Sequence, residues 1–205
     1  MRVAPFTLAG RYVELVPLKA EQVDGLVTAA SGDRSTYAYT EVPSTPEWMT
    51  DYIARLHAAR DADEVVPFAQ RRVADGRLVG CTRYLELRWW RGQDIPDEVE
   101  IGGTWLSADA QRSPINTEAK LLLMTHAFET WGVMRVALCT DVRNERSRRA
   151  IERLGASFEG VLRHHRLSYV TGEHGRPRDS AMFAVTDDDW PAVKERLVER
   201  LRASE

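Results

Sequence analysis

The middle of the chain alternates strand patterns with helix patterns, and this order limits the fold more than any other feature. Residues Glu98–Leu106 and Arg135–Asp141 have strand character, and the second run (RVALCTD) is almost continuously apolar. A helix pattern follows each of them, near residues 116–131 and over Asn144–Leu154. A strand that is apolar on both faces is typical of parallel pairing, and a helix between two strands supplies the crossover that parallel strands need. We therefore predict one parallel crossover at the centre of the sheet.

Elements of antiparallel type flank this unit on both sides. The other predicted strands are Tyr12–Leu18, the pair Val65–Arg72 and Leu78–Leu87, and a terminal hairpin of Phe158–Tyr169 and Asp179–Val185. The other predicted helices carry apolar residues at Val23, Leu26, Val27 and Ala30, run from about Pro46 to Ala59, and begin at Thr186. We expect a single domain over residues 1–205 with an α/β (α+β) fold, in which helices flank a mixed, mostly antiparallel central sheet.

Charge and composition argue against several classes of protein. The 28 lysines and arginines and the 31 aspartates and glutamates give a formal net charge of −3, which is unlike a basic nucleic-acid-binding protein. No apolar stretch approaches the roughly 20 residues that cross a bilayer. Cys81 and Cys139 form no C-x-x-C pair, so we expect reduced thiols in a cytoplasmic protein. The five histidines include no i, i+4 pair, and no metal site is predicted.

The loop Gln111–Asn116 (QRSPIN) lies between a strand and the start of a helix. The first N–H groups of a helix lack intrahelical partners and lie at the positive end of its dipole, so this position suits an anion. Arg112 would add a positive charge, and Thr117 would add a hydroxyl group. Every strand-to-helix loop has such N–H groups, and an ordinary capped helix without a ligand explains the pattern as well.

Two glycines and two carboxylates distinguish the strand before this loop. Gly102 and Gly103 indicate a β-bulge or the close approach of another backbone. Glu98 and Glu100 lie two residues apart, so their side chains share one face of the strand. These carboxylates could act as a base beside the bulge, or they could be solvated side chains with no chemical role.

Three segments resemble the GNAT superfamily of acyl-CoA-dependent N-acyltransferases, and most closely its RimJ/RimL-like branch. They are EIGGTWL (Glu100–Leu106), QRSPINTEAK (Gln111–Lys120) and TDVRNERSRRAIERLGASFEGVLR (Thr140–Arg163). The resemblance extends from about Val66 to Val185. It implies a GNAT-like sheet and an N-acetyltransferase that takes its acyl group from acetyl-CoA without a metal.

The resemblance also implies where acetyl-CoA binds. In the family, the loop before the helix cradles the pyrophosphate with its amides, and the preceding strand pairs with the pantetheine arm and offers N–H groups to the oxyanion. The implied contacts are Thr104, Trp105, Leu106, Gln111, Arg112, Ser113, Pro114, Ile115, Asn116, Thr117, Asn144, Ser147 and Arg149. The arginines of residues 143–153 either contact the phosphates or pair with glutamates of the same helix. Pro114 stands where the family usually has glycine, and proline has no N–H.

Acetyl transfer to an amine needs a base and a proton for the leaving thiolate. The ammonium group of the acceptor must lose a proton before it attacks, and we expect Glu100 to take it, with Glu98 second. Many family members protonate the thiolate with a tyrosine seven residues after the helix-starting asparagine, and that residue is Ile151 here. By resemblance to the RimL-like branch, Ser147 assists the leaving sulfur. Asn144 contacts the pantetheine amide, caps the helix, or does both.

The acceptor is expected to be a primary amine, either a peptide N-terminus or a small molecule. We expect direct attack in a ternary complex, because Cys139 lies in a buried-looking strand and is unsuited to a covalent step. The irregular segments 31–46, 88–96 and 170–178 are the expected walls of the acceptor pocket. No nucleic acid or membrane is expected as a partner, and a homodimer is left open. The alternative is a non-catalytic acyl-CoA-binding or interaction protein, since both Pro114 and Ile151 depart from the family pattern.

Overall fold

A computed structural model describes residues 3–92, 94–173 and 175–203 of the chain. The strands are β1 (Leu8–Ala9), β2 (Val13–Pro17), β3 (Val65–Arg72), β4 (Leu78–Arg88), β5 (Glu98–Leu106), β6 (Arg135–Asp141), β7 (Ser157–Leu167) and β8 (Pro177–Thr186). The α-helices are α1 (Val23–Ala30), α2 (Pro46–Asp61), α3 (Ile115–Thr125), α4 (Glu145–Glu152) and α5 (Trp190–Arg202), and α3 continues as a π-helix over His126–Trp131.

The strands form one sheet in the order β1-β2-β3-β4-β5-β6-β8-β7. Among the described strands, β5 and β6 form the parallel pair, and the other neighbours are antiparallel. The chain crosses from β5 to β6 through α3. The predicted mixed, mostly antiparallel sheet with one central parallel crossover is confirmed.

Local signals set most of the element boundaries. β5 and β6 have the predicted limits, and Gly132 ends the long helix with φ 66°, a left-handed conformation that suits glycine. The last helix begins at Trp190 rather than at Thr186. The reason is that the Thr186 hydroxyl donates to the Asp189 carboxylate at 2.7 Å, which closes a turn ahead of the helix.

The parallel pair is short, and this opens the sheet. Ladder pairs join β5 to β6 only from Glu98–Arg135 to Glu100–Ala137. The predicted bulge is present, because the register between β4 and β5 shifts opposite Gly102 and Gly103, and Gly103 has φ 55°. The remaining edge of β5 therefore carries backbone groups that β6 does not pair.

Apolar clusters cover both faces of the sheet. Tyr84 and Ile101 pack with residues of α3, α4 and α5 on one face. Cys81 and Trp105 pack with residues of α1 and α2 on the other face. Side chains alternate along a strand, and the bulge at Gly102 and Gly103 shifts this alternation, so Ile101 and Trp105 lie on opposite faces although they are four residues apart. This alternation decides which side chains reach each side of the opening between β5 and β6.

Candidate active site

The opening between β5 and β6 leads into a cleft of about 2750 Å³, a volume that includes open solvent. One end reaches the starts of α3 and α4, where Asn116 and Asn144 line it. Glu100 of β5 and Arg166, near the end of β7, line another part of it.

The structure brings most of the sequence-predicted site residues together around this cleft. Those that line it are Glu100, Thr104, Trp105, Leu106, Gln111, Arg112, Ser113, Pro114, Asn116, Thr117, Asn144 and Ser147. Three others lie elsewhere. The Ile115 side chain packs in the core, Glu98 bonds Arg135 at 3.1 Å, and Arg149 pairs with Glu145 on the exposed surface of α4.

The loop before α3 is held by its own side chains. Gln111 Nε2 donates to the Leu106 carbonyl at 2.9 Å, and Gln111 Oε1 accepts from Arg146 at 2.7 Å. The Ser113 hydroxyl donates to the Ala110 carbonyl at 2.6 Å and accepts from the Ile115 N–H at 3.3 Å. These bonds fix the first turn of α3 at the cleft.

Pro114 fits the first turn of α3. It has φ −62° and ψ −17°, which are helical values that proline adopts without strain. Its missing N–H belongs to a position with no intrahelical acceptor, so the helix itself loses no hydrogen bond. Proline in place of the family's glycine therefore leaves the local fold intact and removes only an N–H that a ligand could contact.

The start of α4 lies beside this turn. The Asn144 side chain accepts a hydrogen bond from the Ser147 N–H at 3.1 Å, so the predicted capping role of Asn144 is confirmed. Both residues line the cleft. Two helix N-termini therefore point their positive ends toward the same region.

The arginines near α4 divide into paired and unpaired groups. Arg143 bonds Asp141 and Glu173, each at 2.8 Å. The hydrogen bonds that Glu173 accepts from Arg143 and Ser168 lower its pKa to about 2. By contrast, Arg112, Arg146 and Arg153 line the cleft, and no ion pair joins them to a carboxylate in the part of the chain that the structure describes. This end of the cleft therefore carries uncompensated positive charge, which favours a polyanion.

Glu100 lies at the opposite end and is only 3% exposed. Its two carboxylate oxygens accept from the two terminal nitrogens of Arg166 at 2.9 and 2.7 Å. Arg166 also lies 3.4 Å from the Glu86 carboxylate. Bidentate pairing of this kind fixes the orientation of a carboxylate. Arg166 was not among the predicted site residues, because 66 positions separate it from its partner.

Cys139 adjoins this pair, with its sulfur 3.4 Å from a Glu100 oxygen, and it lines the cleft. Its strand is mostly buried, as expected, but Cys139 itself is only partly buried, because β6 is no longer paired with β5 at this point. Burial, with a contribution from the Glu100 charge, raises the pKa of Cys139 to about 12. Because a thiolate is the reactive form, this thiol is unsuited to a covalent step.

The segments that were expected to wall the acceptor pocket line the cleft only in part. Tyr37, Tyr39 and Glu41 line the cleft from the 31–46 segment, and Arg178 lines it from the 170–178 segment. The described residues of the 88–96 loop do not line it. That loop turns away because the Asp97 carboxylate accepts hydrogen bonds from the backbone N–H groups of Trp90 and Arg91.

Lys120 also lines the cleft and was missed as a site residue. It lies three and four residues before Leu123 and Met124, which are both buried on the inner face of α3. That helical spacing was a readable signal that the lysine also faces inward.

The sequence model of the acetyltransferase (GNAT) domain matches residues 13–157. This chain belongs to the GNAT acetyltransferase family. A curated relative, named putative ribosomal N-acetyltransferase YdaF, from Bacillus subtilis, is 35% identical over 186 residues, which cover 91% of this chain and 90% of that protein. The similarity places this GNAT enzyme in the RimJ/RimL-like branch.

Solved structures agree with this assignment. A GCN5-related N-acetyltransferase from Brucella melitensis superposes with a TM-score of 0.84 and 29% identity, covering 98% of this chain and 87% of that one. RimJ of Mycobacterium smegmatis, solved in complex with CoA-disulfide, has the same fold, with a TM-score of 0.78, 20% identity, and coverage of 96% and 95%.

Membrane-spanning helices and metal-ligand clusters are both absent from the described residues. Among the described residues, no helix is long and apolar enough to cross a membrane. Within the same residues, no group of three or more His, Cys, Asp or Glu side chains converges as metal ligands do.

Proposed function

We propose that this GNAT enzyme transfers the acetyl group of acetyl-CoA directly to the α-amine of a protein N-terminus. The observation that carries the proposal is the two-ended cleft. One end combines two helix N-termini with unpaired arginines, and the other presents the buried Glu100 carboxylate. The unpaired edge of β5 connects the two ends.

The residues at the positive end fit the phosphates of acetyl-CoA. The first-turn N–H groups of α3 near Asn116 and Thr117 lack intrahelical acceptors. Arg112, Arg146 and Arg153 add charge that no carboxylate among the described residues neutralises. Phosphate groups bind well at such helix starts. We therefore assign this end to the pyrophosphate and the adenosine phosphate.

The edge of β5 fits the pantetheine arm. Because β6 pairs with β5 only as far as Glu100, the backbone from Ile101 to Leu106 has one edge without a strand partner. Gly102 and Gly103 lack side chains that would keep another chain at a distance. We assign the backbone N–H groups near Thr104–Leu106 to the stabilisation of the developing oxyanion.

Glu100 is the proposed base. It is the carboxylate nearest the bulge, and Arg166 holds both of its oxygens in a fixed orientation. It takes the proton of the acceptor ammonium, directly or through water, so that the neutral amine can attack. The new N–C bond forms as the C–S bond breaks, the attacking nitrogen releases its second proton to solvent, and no acyl group is carried by the protein.

The choice of a protein N-terminus rests on the relatives and on the shape of the cleft. YdaF is named as a ribosomal N-acetyltransferase, and a peptide end needs an open groove. The cleft is open to solvent, and Arg166 lines it beside Glu100. Ribosomal-protein acceptors would place the reaction in the cytoplasm.

The test uses Glu100→Gln beside a matched control on the same strand face, Glu98→Gln. With acetyl-CoA and a panel of N-terminal peptides and small amines, we expect kcat to fall about 10²–10⁴-fold in Glu100→Gln and to change little in Glu98→Gln. Glu100→Asp keeps a carboxylate and should lose less. Thermal melts of each variant show whether the fold is intact. Equal losses in both glutamine variants would contradict the assignment of Glu100.

A binding measurement separates this proposal from the non-catalytic alternative, which the departures at Pro114 and Ile151 motivate. A thermal shift with CoA but no thiol release on the whole panel would favour the binding module. No shift at millimolar CoA would contradict both CoA-based functions.

A further inference from the structure

Lys120 is a buried cation that the mechanism above does not use. Its side chain extends from the inner face of α3 and is only 5% exposed. Its Nζ donates to the Thr104 hydroxyl at 2.6 Å and lies 3.4 Å from the Thr82 hydroxyl. It is one of three lysines in the chain, with Lys19 and Lys194.

No carboxylate among the described residues compensates the charge of this buried amine. Lys120 forms no ion pair with a carboxylate among the described residues, and the nearby Glu118 instead accepts backbone N–H groups at the start of β2. The groups that face the amine from β4 and β5 are the two threonine hydroxyls. An ammonium has three N–H donors, so one of them is left for a group in the cleft.

The position of Lys120 places it beside the reacting end of the donor. Thr104 lies on β5 beyond Glu100, the last residue paired with β6, at the point where the cleft opens. Lys120 lines that cleft together with Leu138 of β6 and Ile151 of α4. Ile151 packs in the same apolar cluster as α3, so both side chains approach from the same face of the sheet.

The resemblance gives the role of proton donor to Ser147, whose hydroxyl is a far weaker acid than a thiol. Ile151 supplies no proton. It stands where many relatives have the tyrosine that protonates the leaving thiolate, and an aliphatic side chain has no proton to give. We infer that Lys120 is the catalytic acid of this enzyme and protonates the departing sulfur of CoA. The inference rests on the proposed function.

The step balances without another reactant. As the C–S bond breaks, its electron pair stays on sulfur, which takes a proton from the Lys120 ammonium. The neutral amine then regains a proton from solvent. Burial lowers the pKa of Lys120 to about 7, close enough to the roughly 8.5 of an ordinary thiol for efficient transfer.

The main test compares Lys120→Met with the surface control Lys194→Met, using the peptide on which the wild type turns over. We expect kcat to fall about 10²-fold in Lys120→Met, with the Kd for CoA and the activity of Lys194→Met little changed. Lys120→Arg keeps the charge but does not release a proton near neutral pH, so it should lose the same activity. Adding Ile151→Tyr to Lys120→Met should restore turnover.

A second readout does not depend on activity. In protein labelled with ¹³C at the lysine Cε positions, we expect the Lys120 signal to titrate near pH 7. A Lys120 signal that does not change through neutral pH would overturn the inference.

The outcomes also separate this inference from the proposed function. Wild-type kcat in Lys120→Met, or a loss confined to CoA affinity, would overturn the role of Lys120 alone. No transfer by the wild type to any acceptor would overturn both.

Discussion

Pro114 gives the sharpest test of how this chain binds its donor. It lines the cleft at the start of α3, and alanine or glycine can adopt its φ of −62° and ψ of −17° without strain. Pro114→Ala and Pro114→Gly therefore add one N–H along an unchanged backbone path. That N–H has no intrahelical acceptor and can bond a phosphate oxygen.

The expected gain follows from the strength of such a bond. A hydrogen bond to a charged group contributes about 1.5–3 kcal/mol, and each 1.4 kcal/mol changes affinity tenfold. We expect CoA to bind about tenfold more tightly or better. Replacing the proline also increases the conformational entropy of the unfolded chain. Pro114→Gly should therefore lower the free energy of unfolding by about 0.4–1 kcal/mol.

Isothermal titration calorimetry of both variants at one fixed salt concentration measures the effect. Pantetheine, which lacks the pyrophosphate, serves as the control ligand, and its affinity should not change. If both variants bind CoA as the wild type does, or if pantetheine gains equally, the argument for a missing phosphate contact is refuted.

Two further predictions concern stability. The buried Glu118 carboxylate accepts the backbone N–H groups of Arg11, Tyr12 and Val13 at 2.6–2.8 Å. Glu118→Ala should cost roughly 3 kcal/mol in urea denaturation, with a smaller loss in Glu118→Gln, and equal stability of all three proteins would contradict this role. Burial lowers the pKa of His126, so the folded state binds fewer protons than the unfolded chain. The free energy of unfolding should therefore fall as pH drops below about 6.5. His126→Phe should reduce this slope and leave the part due to His165, whose pKa burial also lowers. An equal slope in wild type and variant would contradict the role of His126.

Local chemistry made much of the fold predictable. Gly132 needed a left-handed conformation at the helix end, and Asn144 offered a side-chain acceptor to the first turn of α4. The apolar run Arg135–Asp141 could be buried on both faces only as a central strand. Each of these signals lies within a few residues of the structure that it determines.

The site depended on contacts that no local pattern contains. Glu100 was identifiable from its place beside the glycine pair, but Arg166 reaches it from β7 through the order of strands at the sheet edge. The arginines of α4 look alike in sequence. Only the packing of the helix shows that Arg146 and Arg153 line the cleft while Arg149 pairs with Glu145 outside it.

The most direct test of the central claim follows the acetyl group itself through a single turnover. The enzyme is mixed with radiolabelled acetyl-CoA and an N-terminal peptide, quenched on the millisecond scale, and separated into protein and peptide. We predict that the label passes from CoA to the peptide α-amine at the rate of thiol release, with none retained on the protein. Label that appears first on the protein and then passes to the peptide would contradict direct attack, and label that never reaches the peptide would contradict the proposed acceptor.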